Sequence, residues 1–215
     1  YHIWIPQKGK NVLVRILGWI FFHIMSLVVG LTLISRPSII IAPSPPLTIG
    51  IVSWLLGLIY KIPTIYNVQE IYPDIAIRLG ALKNNFLINI LLKLEKFVYS
   101  KASAITVIAK GMKKQLLGKN VAASKIHVIP NFVDVTDFIG VEKNNFFSKK
   151  YNIQNKFVIS YAGNMGPAQG LECFIKAADT LKKNKEIIFL MMGDGILRSY
   201  FVDKIKTLSL KNFIL

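Results

Sequence analysis

Residues Phe157–Glu172, with the sequence FVISYAGNMGPAQGLE, contain the clearest structural pattern in this chain. The first six of these residues are apolar and rich in β-formers, which predicts a buried strand. Glycines follow at 163, 166 and 170, and the apolar spacing after them is typical of an amphipathic helix. A strand, a glycine loop and a helix in this order can hold a phosphate through backbone N–H groups. The loop matches neither GxGxxG nor GxxxxGK[ST], so a phosphate site and a plain connection both stay open.

The same alternation of strands and helices continues through the rest of the sequence. Strands are predicted at 1–6, 38–42, 64–68, 104–108, 126–129, 157–162, 186–192 and 212–215. Helices are predicted at 12–34, 47–60, 86–100, 111–117, 171–184 and 196–208. Strand–helix–strand order with short connections indicates parallel sheets, whose ligands bind outside the carboxyl ends of the strands. The polar segment 135–156 interrupts this order, so we expect one domain at 1–134, a connection, and a second domain at 157–215.

The charge of the chain is high and unevenly distributed. The net charge is +16 over 215 residues, the mean hydropathy is +0.46, and no acidic residue precedes Glu70. This charge favours anionic partners such as lipid head groups or phosphorylated substrates. The aromatic residues stand in apolar runs and no RNA- or DNA-binding pattern occurs, so nucleic acid is not expected as a partner. The single cysteine, Cys173, is expected on the core face of its helix, which indicates no disulfide framework and fits a reducing cytoplasm.

The apolar segment Val12–Ile34 is long enough to span a bilayer. A helix over these residues places Arg15, His23, Ser26 and Gly30 on one narrow polar stripe. Arg and His are costly in lipid, so three arrangements stay open for this segment. It could span the membrane, lie in the membrane interface, or pack on the sheet.

Two carboxylates follow the predicted strand at 64–68. Glu70 and Asp74 are the first acids of the chain. Carboxylates at the exit of a strand can bind sugar hydroxyls or act as general bases, so both are candidate catalytic residues. The alternative for Asp74 is that it caps a helix beginning near Ile75. Glu95, further along the chain, is expected to pair locally.

Five short segments carry a resemblance to a known family. They are Ala42–Pro46, Asn67–Asp74, Val128–Asp134 (VIPNFVD), Tyr161–Glu172 (YAGNMGPAQGLE) and Met192–Gly195 (MGDG). In order and spacing they resemble the glycosyltransferases of the GT-B fold, specifically family 4, the retaining group, over nearly the whole chain. The first two segments are similar to the subgroup that builds bacterial surface polysaccharides, including aminosugar transferases of the fucosamine type.

This resemblance implies an α/β GT-B fold with two Rossmann-like parallel-sheet domains, both incomplete in a chain that is expected to be a fragment. The N-terminal domain would bind the acceptor and the C-terminal domain a UDP-sugar, which is a co-substrate, with no cofactor and no metal. The donor diphosphate would lie against Gly163, Asn164, Gln169, Gly170, Gly193 and Asp194. Backbone amides would neutralise its charge. Asn131 and Asp134 would lie at the cleft between the domains.

The sequence departs from the family pattern at three places. Many family members have Arg and Lys at the loop positions of Asn164 and Gln169, so here these positions offer hydrogen bonds only. The histidine–acid pair common after the acceptor-domain strand is Gln69-Glu70 in this chain. The family's paired glutamates, spaced E-x7-E, would lie beyond Leu215, so the isolated fragment is expected to be inactive.

The resemblance therefore implies a retaining glycosyltransferase that moves a hexose or N-acetylhexosamine from a UDP-sugar to a lipid-linked or polysaccharide acceptor. It would act in the synthesis of cell-surface polysaccharide, such as lipopolysaccharide or capsule, on the cytoplasmic face of the bacterial cell membrane. The acid-free first 69 residues would meet anionic lipid there. Two other classes stay open. One is a dinucleotide-dependent Rossmann oxidoreductase, which the missing GxGxxG disfavours. The other is a non-enzymatic membrane protein with a span at 12–34.

Overall fold

The computed structural model describes residues 12–32 and 35–215 of the chain. The chain divides into two compact units, the first ending at Val133 and the second beginning at Asp134. Each unit contains one parallel β-sheet with helices between its strands, so the predicted α/β class with two parallel sheets is confirmed. The predicted edge strand at 1–6 lies outside the described residues.

The first unit has a four-stranded parallel sheet in the order β1-β2-β3-β4. Its strands are β1 (Ile40–Pro43), β2 (Thr64–Val68), β3 (Ala104–Val107) and β4 (Ile126–Val128). Its helices are α1 (Val12–Leu31), α2 (Ile49–Tyr60), α3 (Asp74–Arg78), α4 (Asn85–Lys101) and α5 (Lys110–Gly118). The register aligns Asn67 of β2 with Pro43 of β1 and with Thr106 of β3. The strands therefore end together at one edge, which is the carboxyl edge of this sheet.

Apolar, mostly β-branched residues form the core of the first unit. Val68, Ile105 and Val107 are fully buried, as expected for strands of a parallel sheet. Helix α2 lies directly against α4 at Gly50, where a Cβ atom would come within 2.3 Å of Val98 Cγ1. A larger residue at this position would force α2 and α4 apart.

Helix α1 packs on α2 through part of the polar stripe predicted from its sequence. His23 Nε2 and Thr48 Oγ1 lie 2.8 Å apart, and the Tyr60 hydroxyl donates to the Gly30 carbonyl oxygen at 2.7 Å. These contacts show that α1 packs on α2, whereas packing on the sheet, one of the three open arrangements, stays a prediction. The side chain of Arg15, the first position of the stripe, lies outside the described part of the chain. Within the described residues, no helix is both long enough and apolar enough to cross a membrane.

The second unit has a three-stranded parallel sheet in the order β5-β6-β7. Its strands are β5 (Phe157–Ala162), β6 (Ile187–Met192) and β7 (Phe213–Ile214), and its helices are α6 (Phe146–Lys150), α7 (Glu172–Thr180) and α8 (Arg198–Thr207). The ring of Phe174 meets those of Phe189 and Phe213 edge to face, with centroids 5.1 and 5.7 Å away. Each such pair contributes about 0.5–1.5 kcal/mol beyond its buried area. The second sheet therefore has an aromatic core of its own.

Two expectations for the second unit need correction. The predicted buried strand is β5, but it lies at the edge of the sheet and its Phe157 is 67% exposed. Cys173 is exposed rather than on the core face of α7, because α7 buries Ile175 and Ala178 instead. Helix α6 lies within the polar segment 135–156, whose role as a connection stays a prediction.

Candidate functional site

The carboxyl edge of the first sheet carries an ordered chain of side-chain amides. The Asn131 amide donates to Gln69 Oε1 at 3.0 Å, and the Gln69 amide donates to Asn67 Oδ1 at 2.5 Å. The Asn67 amide in turn donates to Thr106 Oγ1 at 3.0 Å. These bonds fix the direction in which each amide points, because each amide has a donor or an acceptor already engaged. The predicted cleft residue Asn131 is thus joined to the strand exit at Gln69.

Sequence reasoning misses two members of this hydrogen-bonded chain, the Asn67 amide and the Thr106 hydroxyl. Both are polar residues inside strands, and the parallel register places them side by side. The available signal is a polar residue near the carboxyl end of each of two neighbouring strands, the edge where ligands bind in sheets of this kind.

The turn after β2 is held in place by Ser44, which follows β1. Ser44 is buried, and its hydroxyl accepts from the Gln69 N–H at 3.1 Å and donates to the Glu70 carbonyl oxygen at 3.4 Å. The Glu70 side chain is exposed, and no hydrogen bond or ion pair engages its carboxylate in the described part of the chain. This carboxylate is therefore open to a hydroxyl group, and its catalytic role stays a prediction.

Asp74 is engaged in an ion pair rather than free. It is the first residue of α3, and the Lys119 ammonium lies 2.7 Å from its Oδ1 and 2.6 Å from Oε2 of Glu95. No side-chain capping bond forms at the start of α3, so the capping alternative for Asp74 is wrong. Glu95 pairs with a residue 24 positions away, so the expectation of a local pair is also wrong.

The surroundings of Glu95 are those of a buried ion pair. Glu95 is only 3% exposed, and burial raises its pKa, although the hydrogen bond and charge of Lys119 act in the opposite direction. Among the described residues, Glu95 Oε1 has no hydrogen-bond partner. Burial, together with the charge of Glu95, also raises the pKa of Tyr99 far above its usual range. In the ion pair between Lys119 and Glu95, the Glu95 carboxylate therefore lies in the interior of the first unit and is not exposed to solvent.

Two glycine loops form the carboxyl edge of the second sheet, 163–170 after β5 and 193–195 after β6. The backbone bonds between these regions run from Gly163 N–H to Met192 O at 2.9 Å, from Met165 N–H to Asp194 O at 2.8 Å, and from Leu197 N–H to Met165 O at 3.0 Å. The Met165 side chain is fully buried. The two loops therefore form one continuous, hydrogen-bonded surface.

The closest approach between the loops requires glycine at position 193. A Cβ atom at Gly193 would lie 1.9 Å from the Gly163 carbonyl oxygen, and the φ of +144° also disfavours any side chain. A Cβ atom at Gly195 would lie 2.5 Å from the Met165 carbonyl oxygen. The structure thus brings together Gly163 and Gly193, two of the residues predicted to bind the diphosphate.

The neutral side chains Asn164 and Gln169 both lie next to Gly166. A Cβ atom at Gly166 would come within 2.9 Å of Asn164 Nδ2 and 2.8 Å of Gln169 Oε1. The backbone of Asn164 is itself held by the Tyr161 hydroxyl, which donates to its carbonyl oxygen at 2.8 Å. The two amides therefore belong to the loop, where they can offer hydrogen bonds to a ligand.

Helix α7 begins directly after the first glycine loop. Gly170, with a φ of +62°, precedes Leu171 and the helix, and no side chain caps the helix start. An uncapped helix N-terminus presents N–H groups and a positive dipole end to an anion. Among the described residues, no three His, Cys, Asp or Glu side chains come close enough together to hold a metal ion. An anion at this edge would therefore meet backbone N–H groups and the two side-chain amides.

Two predicted site residues, Asp194 and Asp134, bind nearby backbone groups. Asp194 Oδ1 accepts from the Gly195 N–H at 2.8 Å, and a carboxylate here would repel a diphosphate. This geometry suits a role in shaping the loop, and its contact with a diphosphate stays a prediction. Asp134 Oδ1 accepts from the Thr136 hydroxyl at 2.6 Å and from its N–H at 2.9 Å, and these bonds lower the pKa of Asp134. Asp134 thereby caps the 3-10 turn Val135–Asp137.

Comparison with known proteins identifies the family. Residues 15–131, more than half of the chain, match the Glycosyl transferase 4-like domain. The chain belongs to the glycosyl transferase 4-like family. WcaI of Escherichia coli strain K12, whose name assigns it to colanic acid biosynthesis as a glycosyl transferase, is 26% identical over 166 residues, 74% of this chain and 40% of that protein. WbjE of Pseudomonas aeruginosa, also named as a glycosyltransferase, is 25% identical over 210 residues, 96% of this chain and 51% of that protein. This glycosyl transferase 4-like chain thus spans only 40% and 51% of the length of these two relatives.

Solved structures share the fold of this glycosyl transferase 4-like chain. Anabaena HepE in complex with UDP aligns with a TM-score of 0.67 at 13% identity, over 92% of this chain and 52% of that one. HepE with UDP-glucose aligns with a TM-score of 0.66 at 14% identity, over the same shares. A Listeria monocytogenes structure named for UDP-N-acetylglucosamine 2-epimerase aligns with a TM-score of 0.56 at 12% identity, over 97% of this chain and 53% of that one. At these identities the likeness shows the fold alone, and it confirms the predicted GT-B fold class.

The contact at Gly193 predicts a specific loss of stability. We expect Gly193→Ala to lower the free energy of unfolding of the second unit by about 1–3 kcal/mol, because the new Cβ atom collides with the Gly163 carbonyl oxygen. Urea unfolding, with hydrogen exchange of β5 and β6, measures this loss. Gly140→Ala is the control, since a Cβ atom there meets nothing within 4 Å. Equal stability of the two variants would contradict the close approach.

Burial of Glu95 predicts a pH dependence of stability. The folded protein holds the Glu95 proton more tightly than the unfolded chain does, because burial raises the pKa of this carboxyl. Relative to Glu95→Gln, the wild-type free energy of unfolding should therefore be highest below about pH 4.5 and fall as the pH rises through the raised pKa. The slope for one proton is at most about 1.4 kcal/mol per pH unit. Urea unfolding of both proteins at several pH values tests this, and a pH-independent difference between them would show that the pKa is not raised.

Proposed function

We propose that the protein is a retaining glycosyltransferase that moves a hexose or an N-acetylhexosamine from a UDP-sugar to a lipid-linked or polysaccharide acceptor. The observation that carries this proposal is the joined pair of glycine loops at the carboxyl edge of the second sheet, in a chain of the glycosyl transferase 4-like family. The UDP and UDP-glucose in HepE support a UDP-sugar donor. The name of WcaI, which refers to colanic acid, supports a place in surface-polysaccharide synthesis, such as capsule or lipopolysaccharide.

The donor diphosphate would bind mainly to backbone groups. Residues Phe157–Glu172 contain no Lys or Arg, so the first glycine loop cannot neutralise the diphosphate with its own side chains. Its backbone N–H groups, the uncapped start of α7 and the amides of Asn164 and Gln169 supply hydrogen bonds instead. The remaining positive charge would come from other parts of the protein. No bound metal or cofactor enters this proposal.

The acceptor would bind at the carboxyl edge of the first sheet. A sugar hydroxyl both donates and accepts hydrogen bonds, and this edge offers both kinds of partner. The exposed Glu70 carboxylate accepts, and the chain of amides from Asn131 to Asn67 supplies fixed donors and acceptors. Glu70 is the better candidate for receiving a proton, because Lys119 already engages Asp74.

The choice of an N-acetylhexosamine among the donor sugars rests on two segments. Ala42–Pro46 and Asn67–Asp74 resemble the aminosugar transferases of the family. The structural likeness to an epimerase concerns the fold alone, whereas both curated relatives carry glycosyltransferase names. No contact in the described residues favours the dinucleotide-dependent oxidoreductase, whose GxGxxG loop is missing.

A membrane surface is the proposed location of the acceptor domain. Helix α1 turns one apolar stripe away from α2, and its members are 45–64% exposed: Leu17, Ile20, Ile24, Val28 and Leu31. This stripe keeps helical spacing from Leu17 to Leu31. The first 69 residues carry no acid, so anionic head groups would attract the same part of the chain. We therefore place the protein on the cytoplasmic face of the bacterial cell membrane, as a peripheral protein.

Titration with nucleotides tests the proposed donor site. We expect the full-length protein to bind UDP and UDP-glucose in isothermal titration calorimetry and to bind NAD much more weakly. We also expect Gly163→Val to weaken UDP binding by about tenfold or more (~1.4 kcal/mol), and Gln169→Ala by less than about threefold. The reason is that a Cβ atom at position 163 would lie 3.0 Å from the Tyr161 hydroxyl, which holds the Asn164 carbonyl oxygen, and the φ of +155° disfavours a side chain, whereas Gln169 contributes one neutral side chain.

Two results of this titration would count against the proposal. Tight binding of NAD without binding of UDP would favour the oxidoreductase class. Equal and small effects of Gly163→Val and Gln169→Ala would mean that the first glycine loop is only a connection between β5 and α7.

Sedimentation with vesicles tests the membrane surface. We expect the full-length protein to co-sediment with phosphatidylglycerol-containing vesicles at low salt. The double variant Ile20→Glu/Ile24→Glu should lower this partition by more than about tenfold, because each isoleucine contributes roughly 1.5–3 kcal/mol when it leaves water. Ile139→Glu/Phe146→Glu is the matched control, since it places the same two charges at exposed apolar residues of the second unit. A wild-type protein that stays in the supernatant, or equal partition of both variants, would refute this surface.

A further inference from the structure

Lys119 joins three segments of the first unit that are far apart in sequence. It follows α5 directly, and its ammonium contacts Asp74 Oδ1 at the start of α3 and Glu95 Oε2 in the middle of α4. Both contacts are short, at 2.7 and 2.6 Å, and both are charge-assisted hydrogen bonds. One ammonium group therefore connects α3, α4 and the end of α5.

The two carboxylates differ in their surroundings. Glu95 belongs to the interior, whereas the Asp74 side chain is about a quarter exposed, at 24%. Burial lowers the pKa of Lys119, but its bonds to Asp74 and Glu95 outweigh this effect and hold its pKa above the usual value. Lys119 therefore stays charged, and it ties a partly exposed residue of α3 to a buried residue of α4.

The segment between Gln69 and Asp74 is consequently fixed at both ends. At one end, Gln69 is held by Ser44 and by Asn131. At the other end, Asp74 is held by Lys119. Glu70, the carboxylate open to an acceptor hydroxyl, lies inside this doubly fixed segment. A segment fixed at both ends keeps its backbone geometry even though, within the described residues, no hydrogen bond or ion pair engages the Glu70 carboxylate.

We propose that Lys119 is a positioning residue for the acceptor edge, which acts by holding Asp74 and thereby the backbone that carries Glu70. This inference rests on the proposed function. Lys119 itself does not touch the acceptor. It keeps the segment Gln69–Asp74 in one arrangement, so that an acceptor hydroxyl meets Glu70 without a cost for ordering the turn.

The alternative is that Lys119 serves stability alone. The energetics of buried ion pairs distinguish this role from the positioning role. Removing one partner of a buried pair destabilises strongly, because it leaves an uncompensated charge in the interior. Replacing both partners by apolar residues of similar size is often neutral. The double variant Lys119→Met/Glu95→Leu should therefore recover stability, while Asp74 still has no ammonium partner.

The experiment uses the full-length protein and four variants. They are Lys119→Met, Lys119→Met/Glu95→Leu, the conservative Lys119→Arg, and Lys113→Met. Lys113→Met is the matched control, since the Lys113 ammonium makes one bond, to the Ile126 carbonyl oxygen, and no ion pair within the described residues. Three quantities are measured for each. They are the free energy of unfolding in urea, hydrogen exchange of residues 69–79, and sugar transfer from UDP-glucose to a lipid extract of the source membrane.

We expect Lys119→Met to lose stability and the double variant to regain it. Hydrogen exchange at residues 69–79 should stay about tenfold faster than in wild type in both proteins, with β3 and β4 unchanged in the double variant. The apparent KM for the lipid extract should rise by about fivefold or more in the double variant, with the KM for UDP-glucose within about twofold of wild type. Lys119→Arg should restore both exchange and KM, and Lys113→Met should change neither.

One outcome overturns the inference directly. If the double variant recovers stability together with wild-type exchange at residues 69–79, Lys119 serves stability alone. Failure of the proposed function looks different. In that case the wild-type protein neither binds UDP-glucose nor transfers from it, while the exchange measurement still reports whether Lys119 holds the turn.

Discussion

The backbone contact between Gly163 and Gly193 sets the shape of the carboxyl edge of the second sheet. Neighbouring parallel strands lie about 4.8 Å apart, so the loops that leave β5 and β6 diverge unless something holds them together. Here the Gly163 carbonyl oxygen occupies the space that a Cβ atom of residue 193 would need. The bond from Met165 N–H to the Asp194 carbonyl oxygen then continues the contact beyond the sheet. The loops consequently present a continuous backbone surface at the point where α7 begins.

The carboxyl edges of the two sheets offer different hydrogen-bonding groups. A diphosphate only accepts hydrogen bonds, so a surface of N–H donors suits it, and glycine exposes such donors best. A sugar hydroxyl donates and accepts, so an edge with amides and a carboxylate suits it better. The first sheet has such an edge, with Asn131, Gln69 and Asn67 in one hydrogen-bonded chain and Glu70 beside it. This difference in chemistry agrees with the assignment of acceptor and donor to the first and second unit.

The sequence is sufficient for those features that depend on neighbouring residues. The strand predicted at 64–68 coincides with β2, because a proline precedes it and its apolar residues alternate in a short run. The glycine loop after β5 is also visible, because glycine clusters are strong local signals. Family membership follows from the order of such local segments, from Ala42–Pro46 to Met192–Gly195.

Contacts across the chain are the features that the sequence does not reveal. Lys119 meets partners 45 and 24 residues away, and no local pattern joins the three positions. One hint was available for Glu95, which stands four residues after Leu91 and four before Tyr99, on the apolar side of its helix. An acid on that side must find a cation within the fold, although the sequence does not say which lysine supplies it. The prediction that Cys173 faces the core is wrong, because helical spacing alone does not tell which residues of a short helix face the sheet.

The cations of the chain lie outside the first glycine loop, the proposed donor site. The chain carries a net charge of +16, yet the segment Phe157–Glu172 has no Lys or Arg. Hydrogen bonds from N–H groups and a helix dipole of roughly half a charge can hold a diphosphate, but they do not balance its charge. The acid-free first 69 residues, which include the exposed stripe of α1, carry five of the 27 Lys and Arg residues, and residues 75–133 carry ten more against the single acid Glu95. In the proposed function, the excess charge would attract anions over a long range, whether head groups or substrate, while the glycine loops would provide the local geometry of binding.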